Sequence, residues 1–359
     1  MSVRLVIQTW LGTRLLLAVV AAWVMLTTGR TFTQVVGNWD AQHYLTIAAE
    51  GYTDPTKYAF FPGWPLLLRL VGLTGLPEVV AGVLLALACS AAAAAALYRL
   101  GGPGAAIAWL LAPVAVFTAV PYTEALFCAA AFWAWERASA RHWGQAALLA
   151  AVAAGVRVSG VFLIGALAIL ALSQPVVAPS RPGVRARRLA WLALPVAVIG
   201  GYVGYLYLQT GSWWAWYQAQ VQGWGRQFSW PWEALQHTIE ATAPGTFPAT
   251  PAAEWVFKAE IVSMAAGLLV TVVCLVRQRW AEAGWVGVQL VAFSTGYWFM
   301  SVNRAVLLWF PLWTLLGELA KPRGRGDIPR RVVIGLAVLL ALVMQVRWAF
   351  TFFTGDWSS

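Results

Sequence analysis

Residues 79–97 read VVAGVLLALACSAAAAAAL, a run without one charged side chain. Wound as an α-helix at 1.5 Å per residue, it is about 28 Å long, close to the hydrocarbon thickness of a bilayer. Residues 190–208 and 332–346 are apolar runs of the same kind. The whole chain follows them: of 359 residues, 60% are hydrophobic and 11% charged, where a soluble domain carries about a quarter charged. Mean hydropathy is +0.69. Too little polar surface remains to cover a globule in water, so lipid solvates much of it. In lipid the backbone must satisfy its own hydrogen bonds, as helices or a closed barrel. The runs are Ala- and Leu-rich and lack the alternation of barrel strands, so the chain reads as an all-α, polytopic membrane protein, one domain over 1–359.

Expected spans fall near 9–29, 79–99, 104–121, 122–136, 145–156, 158–173, 189–208, 256–276, 284–302, 305–320 and 332–350, a bundle of about eleven transmembrane or re-entrant helices. The first span follows Arg4 and Arg14 and ends without a small-residue cleavage site, so it reads as retained rather than as a signal peptide. Two long connections remain. The first, 30–78, is partly amphipathic; the second, 209–255, is rich in Trp, Pro and Gly. Arg157 interrupts the apolar stretch 143–172, and both flanking loops are basic: Arg137 and Arg141 before it, then Arg181, Arg185, Arg187 and Arg188. The positive-inside rule places both in the cytoplasm, which requires two short helices meeting at Arg157 near the outer face. Arg277, Arg279, Lys321, Arg323, Arg325, Arg330 and Arg331 then share the cytoplasmic side, with only Glu136, Glu282, Glu318 and Asp327 among the acids. The N-terminus lies inside; the C-terminus and both long connections lie outside.

This topology accounts for the net charge of +10 without nucleic acid. Arg is abundant and Lys confined to Lys57, Lys258 and Lys321, a bias of GC-rich bacterial genomes, which points to a bacterial plasma membrane. Cys89, Cys128 and Cys274 sit in apolar segments with neither disulfide nor metal spacing. No Gly-rich phosphate loop or dinucleotide signature is present, which favours a donor that arrives already in the membrane.

Trp39-Asp40-Ala41-Gln42-His43-Tyr44, just past the first span, is the stretch richest in chemistry. Asp40 and His43 share a helix face, with Tyr44 beside them. A carboxylate there serves equally as general base toward a hydroxyl or as cap of a helix beginning after Asn38; spacing does not choose. Tyr58-Ala59-Phe60-Phe61-Pro62-Gly63-Trp64-Pro65 combines an interfacial aromatic belt with two close prolines, which reads as a shaped turn into an in-plane helix. Arg157 at membrane depth is a candidate phosphate ligand or an ion-pair partner of Glu124, which follows Tyr122 at the end of another span. Arg226 and Arg304 are further phosphate candidates, with interfacial snorkelling as the bland alternative.

The pattern Trp39-Asp40-x-x-His43-Tyr44-x-x-Ile47-Ala48-x-x-Gly51-Tyr52, followed by Ala59-Phe60-Phe61-Pro62, resembles the first-loop signature of PIG-V-type mannosyltransferases, which in eukaryotes add the second mannose of the GPI anchor. Pro121–Phe127, Arg157–Gly160, Gln220-x-x-x-Trp224-x-Arg226, Arg304–Pro311 and Gly355–Trp357 are similar to later stretches of that family, so the likeness runs along the chain in order. Gly63-Trp64 departs from the usual aliphatic or aromatic pair, a change at the expected groove.

The resemblance implies a GT-C-type bundle and a polyprenyl-phosphate-mannose donor. It implies Asp40 as catalytic base, with inversion at the sugar, and Arg157, Arg226 and Arg304 on the leaving phosphate. His43 would orient Asp40 or contact sugar, with Trp39, Tyr44, Tyr58, Phe61, Tyr122 and Glu124 as the other substrate-binding groups. The acceptor is a hydroxyl of a glycolipid, glycan or protein. No metal ligand set is assigned; the superfamily contains metal-dependent and metal-free enzymes, and an Asp40–His43 pair leaves room for a divalent ion without calling for one. The competing readings are a polytopic lipid or lipid-linked-sugar transporter, for which no inverted repeat is visible, and a membrane accessory subunit without chemistry.

Overall fold

The computed structural model describes residues 2–175, 183–321 and 328–358. Arg181, Arg323, Arg325 and Asp327 of the basic loops lie outside them.

Helix α1 (Val3–Thr28) ends at Gly29, whose φ of 70° lets its N–H close onto Met25 O. The first connection folds as α2 (Phe32–Val36), α3 (Asp40–Glu50), a 3₁₀ turn (Pro55–Ala59) and α4 (Gly63–Gly72). Next come α5 (Glu78–Leu110), α6 (Glu124–Ser139), α7 (Trp143–Val156) and α8 (Ser159–Ser173). After them, α9 (Val184–Trp191) continues into α10 (Ala193–Thr210), and the second connection carries α11 (Ala215–Trp224) and α12 (Pro231–Glu240). The chain finishes with α13 (Ala253–Val276), α14 (Trp280–Ser294), the short α15 (Val302–Ala305), α16 (Phe310–Leu319) and α17 (Ile328–Thr354). No strand occurs among the described residues.

Five helices are long and apolar enough to cross a membrane: α1, α5, the continuous 184–210 unit, α13 and α17. Their outward faces are apolar. On α17, Ile328, Val332, Val333, Leu336, Leu339 and Leu340 are all exposed, as expected of a surface wetted by lipid tails. The chain is built as a multi-pass membrane protein.

Helices α7 and α8 have 14 and 15 residues, about 21 Å each, and meet at Arg157, whose backbone is extended. Gly160 permits the tight turn: a Cβ there would stand 2.4 Å from Ala154 Cα.

The expected span 104–121 is not one helix. Helix α5 kinks at Gly102 (φ 77°) before Pro103 and stops at Leu110. Pro113 has no N–H and disfavours helix at the residue before it, so the chain continues through a 3₁₀ turn at Ala115–Thr118. Non-helical backbone inside a bilayer needs partners from the protein. Gln345 Nε2 donates to Leu110 O and Ala112 O at 3.1 Å, and Arg14 Nη1 donates to Thr118 Oγ1 at 2.9 Å. Arg14 is therefore not a cytoplasmic loop charge; it is a buried group in the body of α1. The spans expected at 284–302 and 305–320 are also shorter, since the stretch between α14 and α16 turns inward and carries Arg304.

The basic turns gather at one end. Gln174 Nε2 donates to Ala138 O, and Arg188 Nη1 donates to Ala171 O and Gln174 O. Arg277 pairs with Glu318 at 2.6 Å, Arg99 and Arg137 with Glu136. Asp40, Glu124, Arg157, Arg226 and Arg304 come together at the opposite end.

Candidate active site

The turn Asn38–Asp40 is pinned on three sides. Asn38 Nδ2 donates to Phe352 O at 2.7 Å, and Arg30 Nη2 donates to Asn38 Oδ1 at 3.0 Å. Trp39 Nε1 donates to Asp356 O at 3.0 Å, and the Asp40 N–H donates to Tyr122 Oη at 3.1 Å. Trp39 is held at φ 55°, a region costing a bulky residue about 1–3 kcal/mol. Trp39, not Asp40, occupies the cap position of α3, and no side chain caps that helix. The carboxylate of Asp40 is thus turned elsewhere.

Its Oδ2 accepts from Arg304 Nη1 at 2.7 Å. Arg304 Nη2 donates to Ser301 Oγ at 3.1 Å, and its guanidinium stands 5.3 Å from the Tyr122 ring centre and 5.4 Å from that of Phe117. The same Nη1 is 3.8 Å from Glu124 Oε1. Glu124 is fully buried and accepts from Arg157 Nη1 at 2.5 Å, while that nitrogen is also 3.1 Å from Thr123 Oγ1. The order is acid, arginine, acid, arginine, which balances.

Arg226 is left over. It is half-buried; its backbone N–H donates to Gln220 O at 3.4 Å, but its guanidinium makes no hydrogen bond or ion pair among the described residues. Burial, aided by repulsion from Arg304 and Arg157, pushes its pKa down to about 10, so it stays charged at neutral pH. The site therefore carries one unmatched positive charge.

Asp40, Arg157, Arg226 and Arg304 line a cleft of about 330 Å³, together with Trp39, Tyr44, Phe60, Phe61, Gln220, Trp224, Ser301 and Trp357. Trp39, Trp224, Phe60 and Trp357 supply flat apolar faces suited to the C–H faces of a sugar, and the three arginines supply anion ligands. Burial raises the Tyr44 hydroxyl pKa further than the nearby charges do, so that hydroxyl stays protonated.

Of the residues expected from sequence, Trp39, Asp40, Tyr44, Phe61, Arg157, Arg226 and Arg304 line the cleft. Tyr122 and Glu124 stand behind it, holding Asp40 and the arginines. His43 lies one turn along α3, stacked on Phe60 with centroids 4.9 Å apart and edge-on to Trp224 at 5.8 Å. Tyr58 faces Tyr52, and its carbonyl accepts from Tyr202 Oη at 2.8 Å. Trp64 is fully buried, with Nε1 on Pro121 O at 3.2 Å; the Gly63-Trp64 departure thus sits in the packing under the site, not in its lining. Ser301 and Glu260 were not expected. An acid inside the apolar run 253–276 is a signal for Glu260; nothing in the sequence marks Ser301.

Among the described residues, no three His, Cys, Asp or Glu side chains stand close enough together to hold a metal ion. Asp40 and Glu124, the acids nearest the cleft, are each engaged by arginine.

Residues 15–99, which contain the whole Asp40 motif, match the family "Mannosyltransferase (PIG-V)". Over that segment the chain is similar to the family. GPI alpha-1,6-mannosyltransferase 2 of Mus musculus is 38% identical over 152 residues, covering 37% of this chain and 31% of the mouse protein. The Homo sapiens protein of that name is 36% identical over 152 residues, with the same coverage. The chain thus matches under a third of the length of these relatives. An oligosaccharyltransferase of Archaeoglobus fulgidus, solved with a tethered acceptor peptide, overlays 97% of this chain and 55% of its own at 13% identity. Its TM-score is 0.42, too loose an overlay to fix the helix arrangement or the chemistry.

Proposed function

We propose that this chain is a membrane mannosyltransferase that takes mannose from a polyprenyl-phosphate carrier and places it on an acceptor hydroxyl. The observation that carries the reading is a cleft in which one carboxylate, Asp40, meets three guanidinium groups, one of them without a partner. A phosphate-linked sugar satisfies that charge pattern, and the aromatic faces suit the sugar ring.

The acceptor oxygen attacks the anomeric carbon from the face opposite the phosphate, and the bond from that carbon to the phosphate oxygen breaks. The electron pair leaves on phosphate, where Arg226, Arg304 and Arg157 offset it. The acceptor proton passes to Asp40. A β-linked donor then yields an α-mannoside. Because Asp40 is bonded to Arg304 beforehand, a donor phosphate competes with Asp40 for that arginine, and donor binding frees the base. The basic turns lie at the end opposite the cleft, which supports an extracytoplasmic reaction with a cytoplasmic N-terminus.

The test is reconstitution in liposomes with radiolabelled polyprenyl-phosphate-mannose and membrane lipid extract, comparing wild type with Asp40→Asn. Transfer or slow donor hydrolysis by wild type, lost in a variant that still binds donor, supports Asp40 as base. Equal turnover by both removes Asp40 from the mechanism. Absence of both donor binding and turnover in wild type defeats the reading and turns attention to transport.

A further inference from the structure

Glu260 is a fully buried carboxylate two turns into α13, and the mechanism above gives it no part. Both of its oxygens bond one short segment. Oε1 accepts the Ser301 N–H and Oε2 the Asn303 N–H, both at 3.0 Å. The same helix grips Asn303 twice more: Ser263 Oγ donates to Asn303 Oδ1 at 2.8 Å, and Asn303 Nδ2 donates to Val256 O at 3.2 Å. Ser301 is in the left-handed region at φ 65°, a conformation a serine keeps only when its surroundings impose it. Its Oγ then accepts from Arg304 Nη2, and Arg304 Nη1 reaches Asp40. A line of contacts therefore runs from a buried acid in α13, through a strained turn, to the arginine on the proposed base.

We propose that Glu260 is a positioning residue for the transfer reaction: it fixes the Ser301–Arg304 turn so that Arg304 is aimed at Asp40 and at the donor phosphate. The inference rests on the mannosyltransferase reading for its effect on turnover, but not for the clamp itself. Both amides point at one carboxylate, and only a group with two acceptor oxygens satisfies them together. In Glu260→Gln one amide loses its acceptor and faces an NH₂ donor instead. The turn relaxes and Arg304 loses its aim, while Arg226 and Arg157 stay where they are.

The experiment has two arms on the full-length protein in nanodiscs. Hydrogen–deuterium exchange over residues 299–306 reads the clamp without any substrate. Glu260→Gln is expected to speed exchange at the Ser301 and Asn303 amides, and unchanged exchange overturns the proposal. Transfer is then measured for wild type, Glu260→Gln, Arg304→Ala and the double variant. In the wild-type background Glu260→Gln is expected to lose at least about tenfold in kcat/KM, the scale of one lost charge-assisted hydrogen bond. With Arg304 already gone, the same change is expected to cost less than about threefold. Equal losses in both backgrounds mean that Glu260 only holds the fold, which overturns the proposal. If Glu260→Gln does not fold, Ser263→Ala weakens the same grip from a smaller side chain and must show the same dependence on Arg304. Should wild type transfer no sugar, the functional reading fails while the exchange arm still decides whether the clamp exists.

Discussion

Arg304 Nη1 donates to Asp40 Oδ2 at 2.7 Å, a contact between residues 264 positions apart. It ties the inward turn before α16 to the first residue of α3 and places a cation on the carboxylate that the proposed chemistry needs free. The contact depends on more than charge, because the guanidinium also bonds Ser301 and lies near the rings of Tyr122 and Phe117. Lysine keeps the charge but has neither the planar fork nor the stacking face. Arg304→Lys is therefore expected to lower kcat/KM for donor by at least about tenfold. Wild-type turnover in that variant would show that a point charge suffices.

Arg226 has no partner to stabilise, so its removal is expected to leave the fold intact and weaken the donor. Arg226→Ala should raise donor KM by about tenfold or more, the scale of a lost charge-assisted contact to phosphate, with an unchanged melting temperature. The measurement is equilibrium binding of polyprenyl phosphate to wild type and variant. Unaltered binding would take Arg226 out of the phosphate site.

The bundle was legible because apolar length reports directly on a bilayer, and the Arg157 break because basic loops flank the apolar stretch on both sides, which a single span would put on opposite faces. Asp40 stood out as an acid beside aromatic residues at the end of a span. The partnership of Asp40 with Arg304 was not legible, since no local pattern encodes a contact across most of the chain. Arg304 itself read as a phosphate candidate, and the structure places it on Asp40. Residues 104–121 read as a span because hydropathy registers apolar content, which Pro113 does not change, while helix continuation depends on backbone donors, which Pro113 removes. The polar groups that make this break tolerable, Arg14 and Gln345, lie on two other helices.

The Glu124–Arg157 pair is buried enough that breaking one side leaves an uncompensated charge. Glu124→Ala is expected to destabilise the protein by about 3–5 kcal/mol. Replacing both partners with methionine is expected to recover most of that loss without recovering transfer. Thermal unfolding in detergent checks the first statement and a transfer assay the second. Full activity in the double variant would reduce Arg157 to a packing element.

His43 gives the protein a pH dependence of defined sign. Burial lowers its pKa below the ordinary value of 6.5, against the pull of Asp40. In the window between the folded and unfolded values, the unfolded chain holds more protons, so stability rises with pH there. The contribution is complete above the unfolded pKa and declines as pH falls below it, because protonation charges a ring packed on Phe60 and Trp224. Melting temperature should therefore drop between about pH 7 and pH 5. His43→Phe keeps the stack and cannot titrate, so it should flatten that part of the profile while leaving stability at pH 7.5 nearly unchanged. An identical slope in wild type and variant would assign the pH dependence to other groups and leave His43 as a neutral brace for the aromatic wall.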